Sequence, residues 1–271
     1  MHQVIPSGPL VGLLGVPALL TALELTAGGG LGVAGWVTGL TCSATVVLLL
    51  TAGLLRASRR HLSPADRVTL VRAVLACGVA ALVARTAVDT AGHPAPTAVL
   101  VVLASVALVL DAVDGRVARR TGTVHPLGAR FDMEIDAFLI LVLSVQVAPV
   151  LGWWVLGIGV ARYVLLLATV AGRSTPWGRA QLPPRRWRKV VAAYQGIALT
   201  VAVADVLPTP VATLAVAAGL ALLVASFGTE VVARRRHLLR AMPADERMTA
   251  WPALPRKASD GSEIVAASGL S

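Results

Sequence analysis

Residues 111–136 read DAVDGRVARRTGTVHPLGARFDMEID, with five carboxylates and four arginines, and they follow directly on PTAVLVVLASVALVL (96–110), which carries no charge. Asp111 and Asp114 are three residues apart and Asp132 and Asp136 four apart, so on helices each pair projects from one face within a turn. Two helices meeting across the short loop at 120–127 would bring the two pairs together. Glu134 lies about 160 to 200° around the helix from the flanking acids and is read as a packing partner behind them.

The composition says what surrounds these acids. Of the 271 residues 56% are hydrophobic and 14% charged, and the mean hydropathy is +0.77, which excludes an ordinary soluble domain. Apolar stretches recur near 9–27, 32–55, 67–88, 97–115, 128–148, 153–172, 190–206 and 210–233. A run of about 20 apolar residues crosses the hydrocarbon as a helix, so the expectation is an all-α polytopic membrane protein with eight spans. A charge at membrane depth costs about 2.5 to 3.5 kcal/mol even on the lenient insertion scale, so the acids must face a polar site rather than lipid.

Orientation follows from the basic residues. The connections AGGGLG (27–32), AGHPAP (91–96), APVLG (148–152) and LPTP (207–210) break helices and contain no Lys or Arg. The opposite set of ends holds Arg56 to Arg67, Arg116 to Arg120, Arg173 to Lys189 and Arg234 to Arg236. By the positive-inside rule both termini and the acidic stretch are expected to be cytoplasmic, in the plasma membrane. The net charge of +10 sits at these inner ends, where topology and anionic headgroups account for it, so nucleic acid is not an expected partner. Cys42 and Cys77 lie inside apolar spans and read as small buried hydrophobes. After Arg236 the chain turns polar, and 236–271 reads as a disordered cytoplasmic tail.

The acids offer only oxygen ligands. Four converging carboxylates repel unless neutralised, and hard divalent cations suit them: Mg²⁺, or Mn²⁺ in its place, as two ions about 4 Å apart of the kind used in phosphoryl chemistry. Gly115 and Ala118 continue the face of Asp111 and Asp114 with little side chain, and Arg119, one turn beyond Gly115, is placed to pair with a phosphate. His125, beside Pro126 in the loop, reads as solvent-exposed.

The spacing Asp111-x-x-Asp114-Gly115-x-x-Ala118-Arg119, eight residues, then Gly128-x-x-x-Asp132-x-x-x-Asp136 resembles the signature of the CDP-alcohol phosphatidyltransferase family, with every fixed position filled. The resemblance covers roughly 62–235 and implies the family's six-helix core there, preceded by an extra N-terminal helix pair and basic linker at 1–61. It also implies transfer of a phosphatidyl group from CDP-diacylglycerol to a small alcohol with release of CMP, in a lipid bilayer, and it is compatible with a homodimer. By that similarity Asp111, Asp114, Asp132 and Asp136 hold the metal ions and Asp136 is also the general base, while Gly115, Ala118, Arg119 and Gly128 line the cytidine diphosphate site. DRVTLVRA (66–73) is similar to the family's N-x-x-T-x-x-R with Asp66 in the usual Asn place, which adds Asp66, Thr69 and Arg72 as nucleotide contacts.

The acceptor is less specified. Arg130, Arg162, Arg179 and Lys189 are candidates for a cationic pocket that takes a phosphorylated alcohol, with glycerol 3-phosphate first, then inositol phosphate. Ala137 stands where several members with phosphorylated acceptors have Lys or Arg, which keeps serine open. Arg162 lies mid-span and requires a partner, most simply a site carboxylate or a phosphate. Two other readings compete. A CDP-headgroup could instead donate to diacylglycerol. An ion- or proton-coupled transporter also buries acids, but it calls for broken helices at matching positions in two halves, whereas here the Gly and Pro interruptions fall in loops.

Overall fold

The computed structural model describes residues 7–26, 30–56, 64–89, 97–121, 126–171 and 186–241. Among them all regular structure is helical: α1 (Ser7–Thr26), α2 (Gly32–Arg56), α3 (Pro64–Val88), α4 (Thr97–Thr121), α5 (Pro126–Leu151), a 3₁₀ turn (Trp153–Val155), α6 (Leu156–Ala171), α7 (Arg186–Ala204) and α8 (Thr209–Ala241). Helices satisfy every backbone N–H and C=O within the segment, which a lipid-embedded chain requires. Four of them, over Gly32–Leu55, Asp66–Val88, Phe131–Leu151 and Thr209–Thr229, are long and apolar enough to cross a membrane. The protein is thus a multi-pass membrane protein. The apolar parts of the others are shorter: α4 is apolar over Thr97–Val113 before its acids and arginines begin, and α7 only from Lys189 to Ala204.

The breaks fall close to the expected positions. Gly30 and Gly32 (φ 71° and 63°) adopt the left-handed backbone at the entry to α2. Glu24 fastens this turn by accepting hydrogen bonds from the Leu31 N–H (2.8 Å) and the Trp36 Nε1–H (2.9 Å). One connection differs from expectation, since α5 runs through Pro149 and stops only at Gly152, whose φ of 110° suits glycine alone. At the other end of the chain, α8 continues to Ala241, six residues into the expected tail of 236–271; residues 242–271 lie outside the described residues.

α3 is the central helix. It packs against α1, α2, α4 and α5, and 67% of its apolar window is buried, against 22% for α2 and for α8, which leave most of their apolar surface uncovered by the other described helices. The core joins Leu20 and Leu23 of α1 with Cys77, Val79 and Leu82 of α3, Leu100 and Ala104 of α4, Leu139 and Leu143 of α5, and Leu199 and Val216 of α7 and α8. Both cysteines are free, and Cys77 is fully buried in this core.

Small residues let the helices approach closely, as bundles in lipid require. The closest approach to a neighbouring helix's backbone among the described glycines is at Gly159 of α6. A Cβ there would come 2.7 Å from the Leu141 Cα and 3.2 Å from the Ser144 Oγ of α5, and a backbone atom cannot swing aside. Gly159→Ala is therefore expected to force α5 and α6 apart at a cost of about 1 to 3 kcal/mol. The measurement is thermal unfolding in detergent; an unchanged midpoint would show that the interface adapts freely.

Candidate active site

The acids meet at one end of the bundle. Asp111 comes from α4 and Asp132 and Asp136 from successive turns of α5, and one oxygen from each lies within 4.8 Å of the others. The i, i+4 spacing on α5 stacks its two carboxylates, and the packing of both α4 and α5 on α3 brings Asp111 across to them.

Arg72 of α3 projects into the middle of this group. Only 1% of its side chain is exposed. Its Nη1 lies 3.1 Å from the Asp111 Oδ1 and also donates to Asp132, while Nη2 donates to Asp136. Lys189 of α7 approaches the same cluster, with its Nζ 3.7 Å from the Asp132 Oδ2. The guanidinium and the ammonium together compensate charge that three neighbouring carboxylates could not otherwise hold in a low-dielectric setting.

The donor set suits a hard divalent cation. Three carboxylates from two helices, with their oxygens mutually within 4.8 Å, are close enough to share one ion or flank two, and neither His nor Cys is among them. Arg72 stands among the carboxylates that such a cation would bind, and its described partners are those three carboxylates.

Two residues expected at the nucleotide site are also brought together. Asp66, in the first turn of α3, lies against Gly128, in the first turn of α5, and its Oδ1 fills the space that a Cβ on Gly128 would need. Thr69, one turn further along α3, is buried. The α4 helix carries on through Asp114, Gly115, Ala118 and Arg119, but the side chains of these residues and of Arg130, and the whole of Arg179, lie outside the described residues.

A cavity of about 210 Å³ opens beside the acids, among α4 to α8. Asp111, Asp136, Arg162 and Lys189 are its charged lining; Leu108, Leu139, Ile140, Ile158, Leu223 and Phe227 make much of the rest apolar. Two acceptor candidates, Arg162 and Lys189, thus share one cavity with Asp136. Arg162 does have a carboxylate partner, but it is Glu134, 3.0 Å from Nη2. The Arg162 Nε is buried and makes no hydrogen bond. Sequence reasoning placed Glu134 behind the metal acids and asked for a partner for Arg162 without joining the two. Two unmatched charges on neighbouring spans were the available signal. Gln195 and Ser226, both buried and lining the cavity, had no signal, because a polar residue on a helix declares its neighbours only after packing.

The family's sequence pattern decides what this constellation belongs to: the model of the CDP-alcohol phosphatidyltransferases matches residues 62–227. The chain belongs to the CDP-alcohol phosphatidyltransferase family. It is therefore an enzyme, a membrane transferase of phospholipid biosynthesis acting on CDP-alcohols. The matched region begins two residues before α3 and ends within α8, so α1 and α2 precede the phosphatidyltransferase region. Comparison with curated proteins and with solved structures returns no match. Members of the family use a divalent metal, and Asp111, Asp132 and Asp136 are the described residues able to hold one.

Proposed function

We propose that the protein transfers a phosphatidyl group from CDP-diacylglycerol to a small alcohol, glycerol 3-phosphate first among them, and releases CMP at the cytoplasmic face of the plasma membrane. We read the architecture as the family's six-helix core, 62–235, plus an extra N-terminal pair. The observation that carries the reading is the convergence of Asp111, Asp132 and Asp136 within 4.8 Å beside a cavity that also holds Arg162 and Lys189.

The bond changes set the requirements. The acceptor hydroxyl attacks the phosphorus that bears diacylglycerol, a new P–O bond forms, and the pyrophosphate P–O bond breaks with its electron pair leaving on CMP. Asp136 borders both the acid cluster and the cavity, so it is placed to take the hydroxyl proton. Asp111, Asp114, Asp132 and Asp136 would hold two Mg²⁺ ions. Bound Mg²⁺ supplies neutralisation of the diphosphate oxygens and of the developing charge on CMP. Arg72 would bind the diphosphate, alongside Asp66, Thr69, Gly115, Ala118, Arg119 and Gly128 at the nucleotide.

Arg162 and Lys189 favour an acceptor with an anionic group. Glu134 takes only Nη2 of the Arg162 guanidinium, which leaves the other amino group, Nη1, for a phosphate. Glu134→Gln is therefore expected to raise the KM for glycerol 3-phosphate about 5- to 10-fold, the size of one weakened charge-assisted hydrogen bond, with the KM for CDP-diacylglycerol unchanged. A parallel rise in both would mean that the pair merely holds α5 to α6.

The deciding experiment incubates the purified full-length enzyme with Mg²⁺ and CDP-diacylglycerol and follows CMP release with a panel of glycerol 3-phosphate, inositol phosphate and serine. CMP release only from a CDP-headgroup plus diacylglycerol would reverse the donor. Turnover that survives EDTA would contradict the metal centre.

A further inference from the structure

The N-terminal pair lies outside the family-matched region, yet α2 reaches the site helices. Leu50 and Leu54 of α2 are each 4% exposed and form one cluster with Leu70 of α3, on which Val46 and Phe131 also pack. Leu70 is two residues before Arg72, and Phe131 immediately precedes Asp132. A two-residue step on a helix turns the side chain by about 200°, so the face of α3 that carries Leu70 is opposite the face that carries Arg72. The last turns of α2 therefore press on the far side of the same helical turn that delivers Arg72, and on the residue beside the first α5 carboxylate.

We propose that α2 acts as a strut for the carboxylate site: Leu50 and Leu54, packed on Leu70 and Phe131, are positioning residues that fix how α3 presents Arg72 and how α5 presents Asp132 and Asp136. The proposal rests on the reading of those acids as the metal site. Protein interiors are packed to near-crystal density, so a void at this contact removes packing that holds α3 and α5 in place and lets them shift part of the way into it. A metal centre tolerates little such movement, since ligand sets must be held to within about 0.5 Å of their working geometry.

Leu48 and Leu49 supply the control. They lie on the same stretch of α2 but are 69% and 58% exposed, on the face turned away from the site. Leu50→Ala/Leu54→Ala and Leu48→Ala/Leu49→Ala delete the same number of methyl groups from one helix and change its helix propensity equally. In the full-length protein, Mn²⁺ binding followed by electron paramagnetic resonance is the direct readout, and the Mg²⁺ concentration for half-maximal CMP release the second. The expected result for Leu50→Ala/Leu54→Ala is a loss of about 10-fold in Mn²⁺ affinity and a matching rise in the Mg²⁺ requirement, comparable to removal of a group that supports metal ligands. Leu48→Ala/Leu49→Ala should change neither, and the volume-conserving Leu50→Met/Leu54→Met should recover both.

Equal effects of the two alanine pairs, or parental metal affinity in a folded Leu50→Ala/Leu54→Ala protein, would overturn the strut. Should that double variant not fold, Leu54→Val carries the same test with a smaller expected loss, and parental affinity there would overturn it equally. A parent that binds Mn²⁺ but releases no CMP would refute the proposed reaction while leaving the strut to be judged on Mn²⁺ binding alone. A parent that binds no Mn²⁺ refutes both.

Discussion

An Asp136→Asn enzyme is expected to release CMP at least ~10³-fold more slowly than its parent, within the range that a positioned general base contributes. The amide keeps the volume of the carboxylate and can still hydrogen-bond to Arg72, but it cannot accept the proton of the acceptor hydroxyl. Two of the three described carboxylate partners of Arg72 remain, so the fold should survive and unfolding temperatures should stay close. Steady-state CMP release against Mg²⁺ concentration separates the two roles assigned to this residue. A lower plateau at saturating Mg²⁺ is the signature of a lost base, whereas a shifted midpoint with the parental plateau would mean that Asp136 is a ligand only. Near-normal turnover with metal bound would remove Asp136 from the proton transfer altogether.

The second large effect is expected at Arg72. Its guanidinium contacts all three acids of the cluster, and it is buried to 1% exposure. Arg72→Gln leaves the carboxylates facing one another, with Lys189, at 3.7 Å from Asp132 and 73% exposed, as the neighbouring cation among the described residues. Removing one partner from a buried ionic group costs about 3 to 5 kcal/mol, because the remaining charges are left uncompensated. The expected result is a protein that unfolds at a markedly lower temperature in EDTA and regains most of the loss in Mg²⁺, whereas the parent responds less to the ion. The comparison is made by thermal unfolding of both proteins in the same detergent with and without Mg²⁺. An Arg72→Gln protein as stable as its parent in EDTA would show that the acids do not depend on this arginine. Arg72→Lys is not a conservative control, since a single ammonium cannot contact three carboxylates through the planar fork that Arg72 uses.

Asp136 and Arg72 differ in how far the sequence alone reveals them. Asp136 was legible from spacing, because the i, i+4 relation to Asp132 is fixed by helical geometry whatever the helices do next. The same geometry made the pair Asp111 and Asp114 legible, and the whole pattern identified the family. Arg72 is legible as a motif residue, but its contact with the three acids is not. Its position relative to the acids is a distance between helices, and no repeat within α3 encodes that distance. The Glu134 to Arg162 ion pair failed to appear for the same reason, with each member noticed and their meeting across α5 and α6 not.

The sequence by itself determined that this chain is helical and membrane-embedded, where most of its described helices break, and which acids share a helix face. Those properties depend on the hydropathy of neighbouring residues and on a period of 3.6 residues per turn, both written along the chain. Only the tertiary structure decided that Arg72 sits among Asp111, Asp132 and Asp136, that Arg162 and Lys189 share a cavity with Asp136, and that Leu50 and Leu54 reach the back of the site. Each of these is a contact between residues tens of positions apart, set by how side chains of several helices fill space together, and that is a property of the packed bundle rather than of any one segment.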